Sequence, residues 1–271
     1  MIGFSEGFHD AAVAVVCEGG KICFATHSER YSRKKHDKVL CQQAANDAKC
    51  FTKDEVVAFY ERPFLKKTRQ FFAGQKLRNR KLSFQPTDYH SHHKSHAAAA
   101  FQTSPFDEAA CVVIDSIGEW DCSSIWTAKM VEGKAVYKKV WSQWYPKSIG
   151  LWYSALTKWA GLRPLDEEYI FMGMAAFGNP VHMNVVEKAL YRNNHKGIHL
   201  GDYDKFDIAK SAERILQLEL NNIFARANTY SKKICYGGGV ALNCVVNTNL
   251  RAVSYTHLRA HETVLALVCR L

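Results

Sequence analysis

One short apolar run constrains the fold more than any other feature of the sequence. Residues 109–115 read A-A-C-V-V-I-D, a continuous run with no alternation of polar and apolar residues. Such a run is typical of a strand covered on both faces, in a sheet with helices on either side. The rest of the chain then has to supply helices and further strands, which predicts an α/β protein with mixed sheets and flanking helices.

The remaining segments fit this prediction. Apolar and β-branched runs bounded by turn residues predict strands over 2–5, 11–17, 22–26, 56–60, 123–130, 135–144 and 233–236. The Gly-Gly pair between the second and third of these predicts a hairpin turn. Helical spacing predicts helices over 40–49, 89–102, 148–178 and 206–230, and a further helix that begins at Ala241.

Composition narrows the class of protein. The 271 residues suffice for one large domain or two small ones, and 47% apolar with 23% charged residues is ordinary globular usage. No run of about 18 apolar residues occurs, so we expect no transmembrane helix and no membrane partner. The first six residues lack the basic start and apolar stretch of a signal peptide.

The cysteines indicate a reducing compartment. There are nine, an odd number, without a C-x-x-C pair, and several such as Cys17, Cys23 and Cys111 lie in apolar runs. This pattern predicts buried, reduced thiols in a cytoplasmic protein.

The positive charge is concentrated in one segment. The formal net charge is +10, and eight lysines and arginines lie between Arg62 and Lys81 with no acid among them. A solvated surface helix or loop accounts for such a segment, and a nucleic-acid site is the alternative. Because no recognised nucleic-acid-binding module is present, we expect no nucleic-acid partner and keep a basic nucleic-acid-binding domain as the lesser alternative.

A cluster of histidines is the strongest sign of chemistry. Four histidines occur within residues 90–96, and on a helix His92 and His96 stand one turn apart on the same face. That spacing lets two imidazoles bind one metal ion. Exposed helix histidines without a ligand are the alternative.

A carboxylate follows the predicted central strand. Asp115 ends that strand, at the sheet edge where α/β proteins place ligands. Two histidines and one carboxylate form a ligand set that suits Fe(II) or a similar divalent ion. Alternatively, Asp115 caps a turn before Gly118. Glu119 and Asp121 are spare carboxylates with the same two interpretations.

Three further segments could bind or activate a substrate. Glycines at 237–239, between a strand and a helix, allow a phosphate to approach the backbone, although they could serve only as a tight turn. Basic residues within 28–37 suit a phosphate or carbamoyl phosphate group, or a solvated charge run. His9 beside Asp10 can act as a general base, although the pair is unremarkable in isolation.

Six motifs, taken together and in this order, resemble the NodU/CmcH family of O-carbamoyltransferases. The resemblance runs from residue 1 to about residue 251. The motifs are F-H-D-A-A at 8–12, E-R-Y-S-R-K-K-H-D at 29–37, H-H-K-S-H-A-A-A-A-F at 92–101, D-S-I-G-E-W at 115–120, M-G-M-A-A-F-G at 172–178 and G-G-V-A-L-N-C at 238–244.

The resemblance implies a fold and an activity. The N-terminal domain of this family has the actin-like, sugar-kinase-like (ASKHA) ATPase fold. The implied reaction is ATP-dependent transfer from carbamoyl phosphate, through carbamoyl adenylate, to a hydroxyl of a small molecule such as a sugar, an aminoglycoside or another natural product.

The resemblance also assigns site residues. It implies an iron-like divalent metal held by His92, His96 and Asp115. It implies that Lys35 meets the carbamoyl phosphate or carbamoyl adenylate and that His9 is a candidate base for the acceptor hydroxyl. Residues implied to border the nucleotide are Gly238, Gly239 and Asn243.

The sequence also departs from the family pattern. Family members are about twice as long and carry a YrdC-like domain that makes carbamoyl adenylate. The 271 residues contain neither that domain nor the family's late glycine-aspartate segment. Ile170 stands where the family often has lysine. We therefore expect residues 1–251 to be a partial N-terminal domain, incomplete at its C-terminus and inactive alone.

The last residues, 252–271, have no helix cap and no clear apolar period, and they resemble translated sequencing-adapter read-through. A C-terminal strand over 264–268 is the alternative interpretation of this tail.

A kinase-like phosphotransferase of the same fold is the main alternative function. Such enzymes transfer phosphate with Mg²⁺ and carboxylates, so they do not need a pair of histidines one helical turn apart. The histidine helix therefore favours the carbamoyltransferase.

Overall fold

The computed structural model describes residues 1–7, 10–53, 56–72, 74, 81–190 and 197–253. They form two compact units. The first unit contains Met1–Pro105 together with the short segment Gly118–Trp120. The second contains Phe106–Ile117 and the described residues from Asp121 onward.

The first unit is built on a mixed sheet. Its described strands are β1 (Ile2–Ser5), β2 (Ala12–Val16), β3 (Ile22–His27), β4 (Val57–Phe59) and β5 (Asp88–Tyr89), in the order β3-β2-β1-β4-β5. Its helices are α1 (Glu29–Ser32), α2 (Gln42–Cys50), α3 (Pro63–Phe72) and α4 (His92–Gln102). The strands predicted at 2–5, 11–17, 22–26 and 56–60 are confirmed, as is the helix predicted over 40–49.

The direction of the strands decides where the loops of this unit lie. β2 runs antiparallel to both β1 and β3, while β4 is parallel to β1 and β5 is parallel to β4. β1, β3, β4 and β5 therefore all point the same way, and the loops that follow them meet at one edge of the sheet. Phe4, Val13 and Phe59 are buried in the core beneath this sheet, together with the alanine face of α2.

The second unit is built on another mixed sheet. Its described strands are β6 (Glu108–Ile114), β7 (Asp121–Val131), β8 (Lys134–Trp144) and β9 (Ile234–Gly237), in the order β8-β7-β6-β9. Its helices are α5 (Ile149–Trp159), α6 (Glu168–Met174), α7 (Met183–Ala189), α8 (Lys205–Ala227) and α9 (Cys244–Val253). Like β1 in the first unit, β6 pairs antiparallel with one neighbour and parallel with the other.

The apolar run that predicted the fold is the centre of this second core. From Ala109 to Ile114 every residue of β6 is buried, as expected for a strand covered on both faces. Trp152 of α5, Tyr236 of β9 and a continuous apolar face of the long helix α8 belong to the same core. The predicted helices over 148–178 and 206–230 are confirmed, although the first is divided into α5 and α6.

Two predicted helix starts are wrong. The histidine helix begins at His92 and not at Tyr89, because Asp88 and Tyr89 pair with β4 as the strand β5. After β9, residues 239–242 form a single 3₁₀ turn, and α9 begins only at Cys244 and not at Ala241.

Two of the cysteines are not reduced thiols. Cys17 and Cys23 form a disulfide across the turn between β2 and β3, and both residues are only partly buried. The hairpin brings their Cα atoms to 6.0 Å, within the range for such a bridge. The prediction of buried, reduced thiols is therefore wrong for this pair, whereas Cys111, Cys122 and Cys235 are buried and form no disulfide.

Among the described helices, none is both long and apolar enough to cross a membrane.

The core of the second unit yields a first prediction. Trp152 is fully buried and its indole N–H donates to the carbonyl of Val186, so Trp152→Ala leaves a large cavity. We expect it to lower the free energy of unfolding by about 3–5 kcal/mol, measured by urea titration with far-UV circular dichroism. The matched control is Trp144→Ala, because Trp144 is 61% exposed. Equal losses in the two variants would contradict this packing.

Candidate functional site

The histidine pair lies at the start of α4, after β5 and therefore at the loop edge of the first sheet. Ser91 precedes the helix in extended conformation, and His92 and His96 follow on one face. Their Nε2 atoms are 3.1 Å apart. The predicted sharing of one helix face is confirmed.

The burial of this helix excludes the simpler interpretation of its histidines. His93 is fully buried, His96 is 8% exposed, and Ala97 to Ala100 are buried behind them. The alternative of exposed histidines is therefore wrong for His93 and His96. Burial also lowers the pKa of His90, with smaller contributions from Lys94 and Arg62 that outweigh the opposing charge of Asp88.

The spacing of the two imidazoles fits a metal ion. Two nitrogens bound to one ion at about 2.1 Å each lie about 3.0–3.4 Å apart, for angles from a right angle to tetrahedral. The observed 3.1 Å falls within this range, and neutral imidazole is a ligand for iron, zinc and related divalent ions. The distance between the two nitrogens is therefore compatible with one shared metal ion.

Glu119 holds the start of α4, and sequence reasoning missed this role. Its carboxylate is 4% exposed and accepts the backbone N–H of His92 at 3.0 Å and that of Arg62 at 2.9 Å. A buried anion at a helix N-terminus is stabilised by the free N–H groups and by the helix dipole. Glu119 is therefore not a spare carboxylate.

Gly118 explains how the loop comes so close to α4. A Cβ atom at this position would lie 2.9 Å from Cδ2 of His93 and 3.2 Å from Cβ of His92. Only glycine fits without displacing the histidines, so residues 118 and 119 together determine the position of the helix.

In the second unit, Asp115 follows β6. Its Oδ1 accepts the N–H of Ser116 at 2.7 Å and that of Gly239 at 3.4 Å, and the residue is partly buried. The turn-capping interpretation therefore describes part of its role, and one carboxylate still has further lone pairs for a ligand. Asp121 is not spare, since its carboxylate pairs with Lys139 at 2.8 Å.

The glycines after β9 pack directly against β6. Gly238 has φ +95°, and a Cβ there would overlap the carbonyl oxygen of Ile114. A Cβ on Gly239 would lie 3.0 Å from Oδ1 of Asp115. Asn243 is buried, and its side-chain oxygen accepts the N–H of Val246 in the first turn of α9.

The start of α5 supports the same loop, which sequence reasoning also missed. The hydroxyl of Ser148 donates to the carbonyl of Ser116 at 2.6 Å and accepts the N–H of Leu151 at 3.0 Å. A Cβ on Gly150 would lie 2.7 Å from Cα of Ser116. Three chain segments of the second unit therefore meet around residues 115 and 116.

Lys35 and its basic neighbours form an exposed loop after α1, and Arg33 there has φ +56°. Asp37 anchors this loop. Burial pushes the pKa of Asp37 upward, but hydrogen bonds to Ser32, Val39 and Ser28 and the charge of Lys34 outweigh it and lower the pKa below its usual value. His9, the candidate base, lies outside the described residues.

The basic segment that begins at Arg62 is only partly described. α3 covers residues 63–72, and within it Lys66 pairs with Glu61 at 2.8 Å while Arg69 is buried. Lys76, Arg78 and Arg80 lie outside the described residues.

The family model described as "Carbamoyltransferase N-terminus" matches residues 38–213. The chain belongs to this family. The match covers most of the chain, including the histidine helix, the strand β6 with the Asp115 that follows it, and the first nine residues of α8. The resemblance noted in the sequence is thereby confirmed at the level of the family.

Curated relatives agree with this assignment. The chain is 29% identical to "Uncharacterized protein sll1178" of Synechocystis, over 92% of this chain and 52% of that protein. It is 25% identical to the nodulation protein NolNO of Sinorhizobium fredii, over 89% of this chain and 42% of that protein. The chain therefore spans about half the length of the curated relatives it matches.

Solved structures confirm the fold. Component A of (R)-2-hydroxyglutaryl-CoA dehydratase from Acidaminococcus fermentans aligns with a TM-score of 0.51 at 12% identity, over 98% of this chain and 96% of that one. HypF of T. kodakarensis aligns with a TM-score of 0.50 at 12% identity, over 98% of this chain and 46% of that one. The carbamoyltransferase domain thus has the predicted actin-like, sugar-kinase-like fold.

The glycine contact in the second unit yields a prediction. Gly238→Ala places a Cβ atom on a left-handed backbone and against the carbonyl of Ile114. We expect it to lower the free energy of unfolding by about 2 kcal/mol or more, measured by thermal unfolding. The control is Gly173→Ala inside α6, which has open space around it and gains helix propensity. A Gly238→Ala variant as stable as this control would disprove the contact.

The buried carboxylate yields another. Glu119→Gln replaces one acceptor oxygen by an N–H₂ group that faces backbone donors, and we expect it to cost about 1–3 kcal/mol in urea unfolding. Glu108→Gln is the control, because its exposed pair with Lys129 spans 3.8 Å and contributes little. Should both changes cost the same, Glu119 would have no special role.

Proposed function

We propose that this chain is the transfer domain of an ATP-dependent O-carbamoyltransferase. The proposed donor is carbamoyl adenylate, formed from carbamoyl phosphate and ATP, and the acceptor is a hydroxyl of a small molecule such as a sugar or another natural product. The observation that carries the proposal is the family match over residues 38–213. The chain spans about half the length of its relatives, so we propose that adenylate formation requires a further, YrdC-like domain. This chain alone is then inactive with carbamoyl phosphate and ATP, and it requires ready-made carbamoyl adenylate as the donor.

We propose that His92, His96 and Asp115 hold Fe(II) or a similar divalent ion. The 3.1 Å between the two imidazole nitrogens supports this ligand pair. Glu119 accepts the first N–H of the histidine helix, and Asp115 comes only four residues before Glu119. This short connection supports Asp115 as the third ligand. When bound, the ion would polarise the carbamoyl carbonyl as a Lewis acid.

Lys35 and the glycines complete the proposed machinery. The exposed ammonium group of Lys35 would bind the phosphate of the donor, because a cation on a flexible stem suits a phosphate group. Gly238 and Gly239 would border the nucleotide, since neither carries a side chain that blocks approach to the backbone. Asn243, whose side-chain oxygen caps α9, would border the nucleotide with them.

The reaction also needs a proton acceptor. The acceptor hydroxyl attacks the carbamoyl carbon, a new C–O bond forms, and the bond to the adenylate phosphate breaks with AMP as the leaving group. The hydroxyl proton has to leave during this attack, and the resemblance assigns its removal to His9.

Metal binding gives the direct test of the ligand set. We expect Fe(II) under anaerobic conditions, or Co(II) in air, to raise the melting temperature of the protein, because an ion that binds only the folded state stabilises it. His92→Ala and His96→Ala should each abolish the shift, as should Asp115→Asn. Differential scanning fluorimetry with and without a chelator measures the effect.

His199→Ala is the matched control, because His199 is an exposed histidine outside the proposed ligand set. This variant should keep the full metal-dependent shift. A folded wild-type protein whose melting temperature does not respond to any divalent ion would refute the ligand assignment, and a shift retained in His96→Ala would refute it as well.

A further inference from the structure

A histidine and an aspartate outside the proposed ligand set lie in direct contact. Nδ1 of His36 is 3.1 Å from Oδ1 of Asp10. The His36 side chain is 51% exposed and the Asp10 side chain 24% exposed, so both remain accessible from solvent. This pair is within the first unit. The sequence paired Asp10 with His9 and gave His36 no individual role.

The contact sets the tautomer of the neutral imidazole ring. An ionised carboxylate only accepts hydrogen bonds, so Nδ1 of His36 must be the donor. In the neutral ring, the lone pair then lies on Nε2, the nitrogen that does not face Asp10. An imidazole held in this tautomer by a carboxylate has the arrangement that accepts a proton from a hydroxyl nucleophile.

The backbone around the pair is strained. Asp10 has φ +48°, His36 has φ +52°, and Arg33 in the same loop has φ +56°. A left-handed backbone is unfavourable for residues other than glycine, and such residues concentrate at functional sites. Both members of the pair therefore adopt a costly conformation to bring their side chains together.

Backbone hydrogen bonds hold the two loops against each other. The N–H of Ala11 donates to the carbonyl of Asp37 at 2.7 Å, and that of Gly7 donates to the carbonyl of Lys38 at 2.8 Å. The buried carboxylate of Glu6 accepts the N–H of Leu40 at 3.1 Å. These bonds flank the pair on both chain segments, so the pair is pre-organised and not a chance surface contact.

The pair also lies at the functional edge of its sheet. Asp10 is in the loop after β1, His36 is in the loop after the short helix α1 that follows β3, and the histidine helix follows β5. Because β1, β3 and β5 run in the same direction, these loops share the carboxyl edge of one sheet, where α/β proteins bind ligands.

We propose that His36 is a catalytic base for the acceptor hydroxyl and that Asp10 is its positioning residue. This inference rests on the proposed function and assigns the proton transfer to His36, whereas the resemblance assigns it to His9. As the acceptor oxygen bonds to the carbamoyl carbon and AMP leaves, the hydroxyl proton moves to Nε2 of His36. Asp10 stabilises the imidazolium that forms.

Carbamoyl transfer to two probes separates a base from a structural residue. The donor is chemically prepared carbamoyl adenylate, and the probes are glycerol, whose hydroxyl needs a base, and hydroxylamine, which reacts without one. We expect His36→Gln to slow transfer to glycerol by about 100-fold or more while transfer to hydroxylamine changes little. His199→Gln, on an exposed histidine elsewhere, should leave both rates unchanged.

A spectroscopic measurement tests the positioning role of Asp10. In protein with ¹⁵N-labelled histidine, NMR should show that the neutral ring of His36 carries its proton on Nδ1 and not on Nε2. Asp10→Asn should shift this tautomer toward the usual solution mixture and should slow transfer to glycerol but not to hydroxylamine.

Several outcomes would overturn the proposal. His36→Gln could retain transfer to glycerol, or lose transfer to both probes, which would indicate a structural role. Wild-type transfer to hydroxylamine alone also contradicts it, because a base at this edge acts on any hydroxyl that reaches it. Wild-type protein that transfers to neither probe contradicts the proposed function itself, and the inference then falls with it.

Discussion

The histidine helix depends on one buried anion. Glu119 has almost no contact with solvent, and its carboxylate accepts backbone N–H groups from His92 and from Arg62. Those two residues belong to chain segments that follow different strands, so a single side chain joins the end of β4 to the start of α4. The helix carries two imidazoles 3.1 Å apart, a spacing useful for metal binding only if the first turn does not fray.

Each unit places its candidate site residues by the same rule. In the first unit, the loops after β1, β3 and β5 carry Asp10, His36 and the histidine pair. In the second, the loops after β6 and β9 carry Asp115 and the glycines 238–239. In each sheet, three antiparallel strands that follow one another in the chain are extended by parallel pairing at one end. Within each sheet, several strands therefore have their carboxyl ends at the same edge.

Local sequence patterns predicted many of the strands and helices, but they failed where contacts between residues far apart in sequence determine the structure. The run 109–115 predicted β6 because burial on both faces leaves a direct mark on sequence, and helical spacing predicted the facing histidines. Glu119 carries no such mark, since its partners lie 27 and 57 residues away. The Cys17–Cys23 bridge was missed because apolar neighbours suggested burial, whereas the hairpin geometry brings the two residues together. Similarly, Tyr89 has a helical neighbourhood but pairs as a strand.

The strained positions suggest how the chain combines rigidity with accessible chemistry. Gly238 avoids strain because it has no Cβ, and it uses that freedom to bring the backbone against β6. Asp10 and His36 cannot avoid it, since their side chains are the groups to be presented. Their cost is offset by the backbone bonds of Gly7 and Ala11 to the facing loop and by the carboxylate of Glu6. A loop without such bonds would relax the two residues to ordinary backbone angles and separate the imidazole from its carboxylate. The left-handed backbone of these two residues therefore persists because hydrogen bonds between the two loops hold it in place.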